Sequence, residues 1–210
     1  MRIPAFLLAV TLLLSALCAD AAPAYTPLPL GTGATTAFAD RTPDDQKGGW
    51  TDQGNNDLSI IKPGTLKISD VPFAILSDAA TDGKSCIVLG GPKRAYLPQS
   101  AKVPVDNVRG AYLYLLHGAA WCPPANEQKV TGLLHIDYVD GSTDEFRVRC
   151  GRDVADWAKP DGYKNAIRVW TAYNNNTQVS LFVSKFKLKD LAVKAIRMTA
   201  RESAWMVAAM

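Results

Sequence analysis

The sequence is short of the residues from which most active sites are built. Only two histidines occur among 210 residues, and no serine lies in a Gly-x-Ser-x-Gly setting. Neither a Cys-x-x-Cys pair nor a Cys/His set with zinc-ligand spacing is present. No helical pattern follows Gly90-Gly91-Pro92-Lys93, although phosphate binding by such a loop needs one. These absences disfavour the common hydrolase, zinc-dependent and phosphate-binding classes, so we expect a protein that is not an enzyme.

A strong charge of either sign is also missing. The chain carries 23 Lys and Arg against 20 Asp and Glu, which leaves a formal net charge of +3. The basic residues are scattered along the sequence, whereas nucleic-acid binding needs them clustered on one face. We therefore expect no nucleic-acid partner.

Long hydrophobic runs are confined to the N-terminus. Arg2 precedes the apolar run Phe6–Leu17, and residues 19–21 (Ala-Asp-Ala) provide the small-x-small site of signal peptidase. The run is too short to span a bilayer, which takes about 20 residues. We predict that residues 1–21 are a cleaved signal peptide, that the mature protein is secreted or periplasmic, and that it does not bind a membrane.

The rest of the chain suits one domain with a sizeable core. Residues 22–37 are rich in Pro, Thr, Ala and Gly and show no periodic pattern, which is typical of a flexible leader. The folded domain is therefore predicted over residues 38–210.

Three cysteines remain after signal cleavage, namely Cys86, Cys122 and Cys150. An exported protein can form disulfides, but an odd number leaves at least one free thiol. Cys86 and Cys150 sit in strand-like runs, so we expect both to be buried. The sequence leaves open which of the three pair.

Periodicity excludes long helices, because no segment sustains a period of 3.6 residues over three turns. Short apolar runs bounded by Gly, Pro, Asn and Asp recur instead. The candidate strands are Leu58–Ile61, Thr65–Ile68, Phe73–Leu76, Cys86–Leu89, Val108–His117, Leu133–Val139, Phe146–Cys150, Ile167–Trp170, Val179–Phe186, Val193–Thr199 and Trp205–Ala209. This spacing predicts an all-β sandwich or barrel.

The clearest element is a hairpin over residues 133–150. Side chains alternate from Leu133 to Val139, Asp140-Gly141 tolerates the positive φ of a tight turn, and alternation resumes over Phe146–Cys150. The predicted inward set on the first strand is Leu134, Ile136 and Tyr138. The pattern indicates an antiparallel hairpin with one buried face, and hence a β-sandwich.

Several pieces, in order, resemble a known family. They are GGWTDQGNNDL (48–58), VPFAI (71–75), AYLYLLHGAAW (111–121), the Tyr-Val-Asp-Gly hairpin, GRDVADW (151–157), VWTAYNNN (169–176) and AWMVAAM (204–210). The set is similar to exported bacterial β-sandwich domains with the galactose-binding-like jelly-roll fold, which often accompany glycoside hydrolases or occur in cell-surface proteins. The resemblance implies that fold and a carbohydrate-directed role.

The chain departs from that family at two places. Residues 187–190 (Lys-Leu-Lys-Asp) stand where related domains carry an Asn-Pro step, and the chain stops at Met210, inside what the family pattern makes the last strand. We therefore allow for a domain truncated at its C-terminal strand.

A sugar site needs aromatic rings that stack on pyranose C–H groups, with Asp, Asn or Arg nearby for the hydroxyls. Arg152, Asp156 and Trp157 share one segment after a predicted strand, and Trp121 and Tyr163 lie in or beside other loops. We predict that these five residues contribute to carbohydrate binding. The alternative for each loop tryptophan is a lid over the end of the sandwich.

Asp52, Asn55 and Asp57 form an oxygen-rich loop flanked by glycine. Calcium takes six to eight oxygen ligands, and the resemblance implies a structural calcium near the first strand. These residues are therefore the candidate metal ligands, with calcium the only cofactor considered. The alternative is a turn whose side chains bond their own backbone.

The two histidines point to structural roles. His117 ends a long apolar strand, which favours a buried hydrogen-bonded side chain, and His135 shares a strand face with Asp137, which favours a solvated surface pair.

Three functions stay open: a non-catalytic carbohydrate-binding or accessory module, which we prefer; a cell-envelope or assembly protein with a protein partner; and a hydrolase using His117 or Asp156.

Overall fold

A computed structural model describes residues 24–123, 127–160 and 163–210, so the predicted signal peptide lies outside the described residues. The strands are β1 (Gly64–Ile68), β2 (Val71–Ile75), β3 (Ile87–Leu89), β4 (Ser100–Val108), β5 (Tyr112–Ala120), β6 (Val130–Tyr138), β7 (Thr143–Arg149), β8 (Ile167–Tyr173), β9 (Gln178–Lys187), β10 (Val193–Ala200) and β11 (Ala204–Ala209). The described 3-10 turns include Gly31–Gly33, Ala79–Thr81 and Pro92–Arg94. None of the described helices has the length and apolarity to cross a membrane.

Two antiparallel sheets pack against each other. One has the order β4-β10-β6-β7 and the other the order β3-β11-β5-β9-β8, while β1 and β2 form a separate hairpin. Apolar side chains from both sheets share one buried cluster, which includes Leu134 and Ile136 from the first sheet and Leu115 and Trp205 from the second. The predicted all-β antiparallel sandwich is confirmed.

The β6–β7 hairpin forms as predicted. Leu134, Ile136 and Tyr138 are buried, and the turn places Gly141 at a φ of 86° with its N–H 3.1 Å from the Tyr138 carbonyl. A residue with a side chain is strained at such a φ, which explains the Asp-Gly sequence. The local sequence therefore specifies both the turn and the buried face of this hairpin.

Strand β11 is buried on both of its faces. Trp205 and Val207 point into the cluster between the two sheets. Met206 and Ala208 point the other way, into a second cluster with side chains from residues 38–75. The five-stranded sheet is thus covered by a third, less regular layer, which accounts for the unbroken apolarity of residues 204–209.

The predicted leader is packed against the sandwich over its described part, residues 24–37. Leu30 is buried, the Leu28 N–H donates to the Met210 carbonyl at 3.1 Å, and Thr36 pairs with Cys86 as an isolated bridge. The expectation of a flexible leader is therefore wrong for this part. Composition misled because a few apolar side chains and backbone bonds suffice to hold a segment that has no periodicity.

Three strand assignments differ from the sequence prediction. Leu58–Ile61 is a buried turn, since its apolar side chains fill the third layer instead of a sheet. Strand β4 was missed because Pro104 interrupts its pattern, but β4 is an edge strand, where proline is tolerated. The long run predicted from Val108 is broken between β4 and β5 at Arg109-Gly110.

Cys122 and Cys150 form a disulfide, with their Cα atoms 6.0 Å apart. It ties the segment after β5 to the end of β7. Among the described residues Cys86 is the free cysteine, and burial raises the pKa of its thiol. Cys86 and Cys150 are both buried, as predicted.

Thiol counting on the chain from residue 22 onward tests this arrangement. We expect no alkylation of the native protein, one alkylated cysteine in denaturant without reductant, and three after reduction, because Cys86 is inaccessible and the other two are paired. Mass spectrometry of the peptides should place the single label on Cys86. Labelling of Cys122 or Cys150 before reduction would contradict the pairing.

Candidate functional site

The segment predicted to be an accessible binding loop, Gly151–Trp157, enters the five-stranded sheet. The Ala119 N–H of β5 donates to the Ala155 carbonyl at 3.1 Å, and the Trp157 N–H donates to the Ala119 carbonyl at 2.8 Å. On its other side, the Trp157 carbonyl accepts from Ser180 of β9 at 2.8 Å. The segment therefore fills the gap where β5 and β9 separate beyond His117, and only its first turn stays at the surface.

Trp157 is a core residue, with 2 % of its surface exposed. Its ring packs edge-on against Trp50, with 6.0 Å between the ring centroids. Gly118 leaves room for it, because a Cβ there would lie 3.2 Å from the Trp157 Cβ. The prediction of an exposed stacking ring is wrong at this position: the strand-like backbone pairing turns the side chain into the third layer.

Three other predicted ligand residues also have partners inside the protein. The Asp156 carboxylate accepts from the backbone N–H groups of Cys122, Ala158 and Lys159 at 3.0 to 3.2 Å. The Arg94 guanidinium lies 4.7 Å from the centroid of the Trp121 ring. Tyr163 packs on Phe182 at 5.2 Å. Of the five predicted residues, only Arg152 is exposed.

Trp157→Ala should destabilise the domain, by about 3–5 kcal/mol as is typical of large-to-small changes at buried aromatic residues. Urea unfolding followed by circular dichroism measures this. Arg152→Ala, in the exposed turn of the same segment, is the matched control and should change the free energy of unfolding by less than about 0.5 kcal/mol. Equal stability of the Trp157 variant and the wild type would show that the ring is not packed as described.

Arg152 opens onto a polar groove of about 610 Å³ along one side of the sandwich. The groove lies between the edge strand β7 and the β9 segment Ser184–Lys187. This segment of β9 extends past the end of β8, because the first β8–β9 pair is Ile167 with Val183. Its lining includes Arg147, Arg149, Arg152, Lys185, Lys187, Glu145, Asp153 and Asn165, and we call it the basic groove. Phe146 and Phe186, with centroids 5.3 Å apart, close it on the side of the core.

The turn at Arg152 is held in place from several directions. Its carbonyl accepts from the N–H groups of Lys164, Asn165 and Ala166 at 2.7 to 3.2 Å. The Asp153 carboxylate accepts from the Arg149 N–H at 2.9 Å and from the Asn165 amide at 2.8 Å. This side of the groove is therefore preorganised by hydrogen bonds within the protein.

Sequence analysis missed most of the basic groove. Arg147 and Arg149 alternate on β7, and Lys185 and Lys187 alternate on β9, so each pair projects from one face of its strand. That alternation was readable, but the proximity of two strands separated by about forty residues was not. These cations alternate with Val148 and Phe186 of the core cluster, so the two pairs lie on the outer faces of opposite sheets.

His117 is part of a buried chain of hydrogen bonds. Its Nδ1 accepts from the Trp205 indole N–H at 3.1 Å, and its Nε2 lies 3.1 Å from the Ser184 hydroxyl, which donates to the Asp153 carbonyl. Because an indole nitrogen only donates, the imidazole proton must lie on Nε2. That tautomer donates to the serine and cannot take its proton, so the pair is not arranged as a base and a nucleophile.

The pKa of His117 is lowered to about 3 by burial. The folded pKa lies below the unfolded value near 6.5, so the unfolded chain binds a proton that the folded chain does not. The stability contributed by neutral His117 is complete above pH 6.5 and is lost as the pH falls toward 3.

The free energy of unfolding of the wild type should therefore fall between pH 6.5 and pH 5, by about 1 kcal/mol per pH unit relative to the variant His117→Gln. Glutamine keeps a hydrogen-bond donor and an acceptor at this position but does not titrate. Urea unfolding of both proteins at several pH values gives the two slopes. His135 is present in both and cancels in the comparison. Parallel slopes would contradict a buried, neutral His117.

His135 lies at the outer face of the four-stranded sheet, as predicted. Its Nε2 is 3.1 Å from the Glu145 carboxylate. Asp137 beside it accepts two hydrogen bonds from the Arg197 guanidinium at 2.6 and 2.8 Å, which lowers the pKa of this carboxyl to about 2. This face carries ordinary cross-strand ion pairs.

The predicted calcium ligands belong to separate hydrogen-bond networks. Asp52 is buried and accepts from the Tyr96 hydroxyl. Asp57 accepts from the Asp40 N–H at 2.7 Å and from the Ser59 N–H at 2.9 Å, while Asn55 is exposed. Within residues 24–123, 127–160 and 163–210, no three His, Cys, Asp or Glu side chains are close enough to hold a metal ion. The three side chains are therefore not brought together. Asp57 bonds the backbone of its own turn through Ser59, whereas the buried Asp52 Oδ1 has no hydrogen-bond partner among the described residues, so calcium binding by this loop stays a prediction.

A second concavity, an apolar cleft of about 360 Å³, opens at the other end of β5. Its lining includes Tyr25, Tyr112, Tyr114, Ile136, Ile196 and Met210. Tyr112 begins β5 and Trp121 follows its last residue, so about 30 Å separate this cleft from the predicted ligand residues Trp121 and Trp157. None of the five predicted ligand residues lines the cleft.

Comparisons of the chain with protein-family models, with curated proteins and with solved structures found no match. The family resemblance noted in the sequence therefore rests on the quoted motifs and on the sandwich architecture alone.

Proposed function

We propose that the protein is an exported, non-catalytic carbohydrate-binding module of the galactose-binding-like jelly-roll type. The observation that carries this proposal is the basic groove, a preorganised polar concavity that contains Arg152. Its volume of about 610 Å³ lies within the range of small-molecule binding sites, roughly 300–1,000 Å³.

The groove offers what sugar hydroxyls require. The exposed Arg152 side chain donates, the Asp153 carboxylate accepts, and the Asn165 amide can do both. A hydroxyl is a donor and an acceptor together, so a mixed lining suits a polyhydroxylated ligand. Because the Arg152 turn is held by the backbone of residues 164–166, little ordering free energy is lost when a ligand binds.

The buried chain through His117 supports a non-catalytic role. Ser184 lines the groove, but its hydroxyl is directed to the Asp153 carbonyl and its neighbour His117 carries the proton on the facing nitrogen. The Asp156 carboxylate, the other candidate for a hydrolase, is engaged by three backbone N–H groups. Neither residue is poised for acid–base chemistry.

The disulfide supports export. Cys122 and Cys150 are bonded, and structural disulfides persist mainly in oxidising compartments such as the periplasm or the extracellular space. This agrees with the predicted signal peptide and with a secreted or periplasmic location.

The alternative of an envelope or assembly protein would be favoured by a broad apolar patch on a sheet face. In the part of the chain that the structure describes, the large exposed apolar side chains are scattered: two stand at opposite ends of β8, about 20 Å apart, and the other three lie on other elements. They are Tyr96, Tyr112, Val139, Ile167 and Tyr173. We therefore retain carbohydrate as the preferred ligand.

A glycan array probed with the purified protein tests the proposal. The wild type should bind at least one glycan class, and Arg152→Ala should weaken that binding about tenfold, since a charge-assisted hydrogen bond contributes about 1.5 kcal/mol or more. Lys67→Ala, an exposed cation on β1, is the matched control and should bind normally. Absence of glycan binding, or equal loss in both variants, would refute the proposal.

A further inference from the structure

We propose that the apolar cleft binds an extended peptide segment of a partner protein, which adds to the five-stranded sheet as a strand beside β5. The inference goes beyond the proposed carbohydrate-binding function and does not depend on it. It rests on a short stretch of β5 that has a paired strand on one side only, within the part of the chain that the structure describes.

Strand β11 covers only part of β5. The last pair between the two strands joins Ala209 to Leu116, and Met210 continues the line of β11 by one more residue. Strand β9, on the other side of β5, continues as far as Tyr112. Residues 112–114 therefore have β9 on one side and no described strand on the other, over a length of about 10 Å.

The backbone groups of Tyr112 and Tyr114 face this open side. The Leu188 N–H donates to the Ala111 carbonyl at 3.0 Å, so Ala111 is hydrogen-bonded toward β9. Hydrogen-bonded and non-hydrogen-bonded residues alternate in an antiparallel pair, so the N–H and C=O groups of Tyr112 and Tyr114 are directed away from β9. These groups have no backbone partner among the described residues.

The apolar cleft provides the room for an added strand. Tyr112, Leu113 and Tyr114 line it, and so does Met210, which directly follows β11. The cleft of about 360 Å³ therefore lies where β11 would continue along β5. A strand placed there makes the same main-chain hydrogen bonds that join strands within a sheet, which is how sheet edges bind extended peptides.

The two faces of the cleft specify the side chains of the added strand. A residue opposite Leu113 places its side chain between the two sheets, where Ile136 and Ile196 also line the cleft. Residues opposite Tyr112 and Tyr114 meet the tyrosine rings on the other face. The cleft therefore suits a segment in which aliphatic residues alternate with residues that pack on tyrosine.

Charge specifies one end of the segment. The described lining has one charged side chain, Arg109, and no acidic residue. Arg109 lies between β4 and β5, and its guanidinium is 3.9 Å from the exposed Asp190 carboxylate, a separation at which an exposed pair contributes little. A strand that continues β11 runs toward this arginine, so an acidic residue at its C-terminal end complements the site.

An acyl chain accounts less well for the cleft. It would fill the apolar space, but it would cover the N–H and C=O groups of Tyr112 and Tyr114 without offering them partners. Removing such groups from water unpaired costs free energy. A peptide strand fills the same space and pairs these groups.

Isothermal titration calorimetry with the peptide acetyl-Thr-Val-Thr-Val-Glu tests the inference, and we expect a one-to-one complex. With valine between the sheets, the threonine N–H groups face β5. The isomer methylated on both threonine nitrogens should therefore bind about tenfold or more weakly than the isomer methylated on both valine nitrogens, because only the former leaves β5 carbonyls unpaired.

Two variants test the charged end. Arg109→Gln should weaken binding of the peptide about threefold to fivefold, in the range of an exposed ion pair. Arg168→Gln removes the same charge from an exposed position on β8 and should bind as the wild type does. Circular dichroism should show that both variants unfold at the wild-type temperature.

An extended chain tests the position of the site. Appending Thr-Val-Thr-Val-Glu after Met210 should fill the cleft from within, raise the midpoint of thermal unfolding and abolish binding of the free peptide. A Gly-Ser-Gly-Ser-Gly tail of the same length is the matched control and should change neither property.

Several results would overturn the inference. They are absence of peptide binding, equal affinity of the two methylated isomers, an equal loss in the two arginine variants, and binding of the free peptide by the extended chain. Dodecanoate that binds in place of the peptide would assign the cleft to an acyl chain instead. Self-association in analytical ultracentrifugation that the peptide reverses would assign it to a second copy of this chain.

Discussion

Burial of β11 on both faces is the constraint on which the other layers depend. Trp205 fills the space between the sheets, and Met206 on the opposite face meets the layer formed by residues 38–75. The facing sheet accommodates the indole at Gly132, where a Cβ would lie 2.8 Å from the Trp205 Cζ3. Each layer can exclude water from β11 only if the others are in place, so the hydrophobic effect couples the three layers. The packed segment 28–37 extends this arrangement, because Leu28 bonds to Met210 directly after β11.

The same strand connects the core to the groove. The Trp205 indole holds His117, His117 holds Ser184, and the Ser184 hydroxyl holds the Asp153 carbonyl in the turn that presents Arg152. Every member of this chain is buried and has a hydrogen-bond partner, which avoids the cost of an unpaired polar group in the core. The turn is thus positioned by the interior of the sandwich, although its outer side faces solvent.

The tryptophans do not have the role that composition suggested for them. Tryptophans in loop-like sequence were candidates for sugar stacking, yet Trp157 and Trp50 are buried together and Trp121 lies under Arg94. A loop defined by Gly and Asp in sequence can still run between two strands. Whether its rings are exposed then depends on backbone pairing with β5 and β9, which composition does not report.

The sequence alone determined the elements whose pattern is local. Alternation and an Asp-Gly turn specify the β6–β7 hairpin, and the absence of helical periodicity specifies an all-β chain, because side-chain direction in a strand follows from a period of two. The tertiary structure alone decided the Cys122–Cys150 pairing, the insertion of residues 155–157 into the sheet, and the groove between β7 and β9. These features join segments far apart in sequence, and their distances depend on the order in which strands pair and layers pack. No local pattern encodes that order.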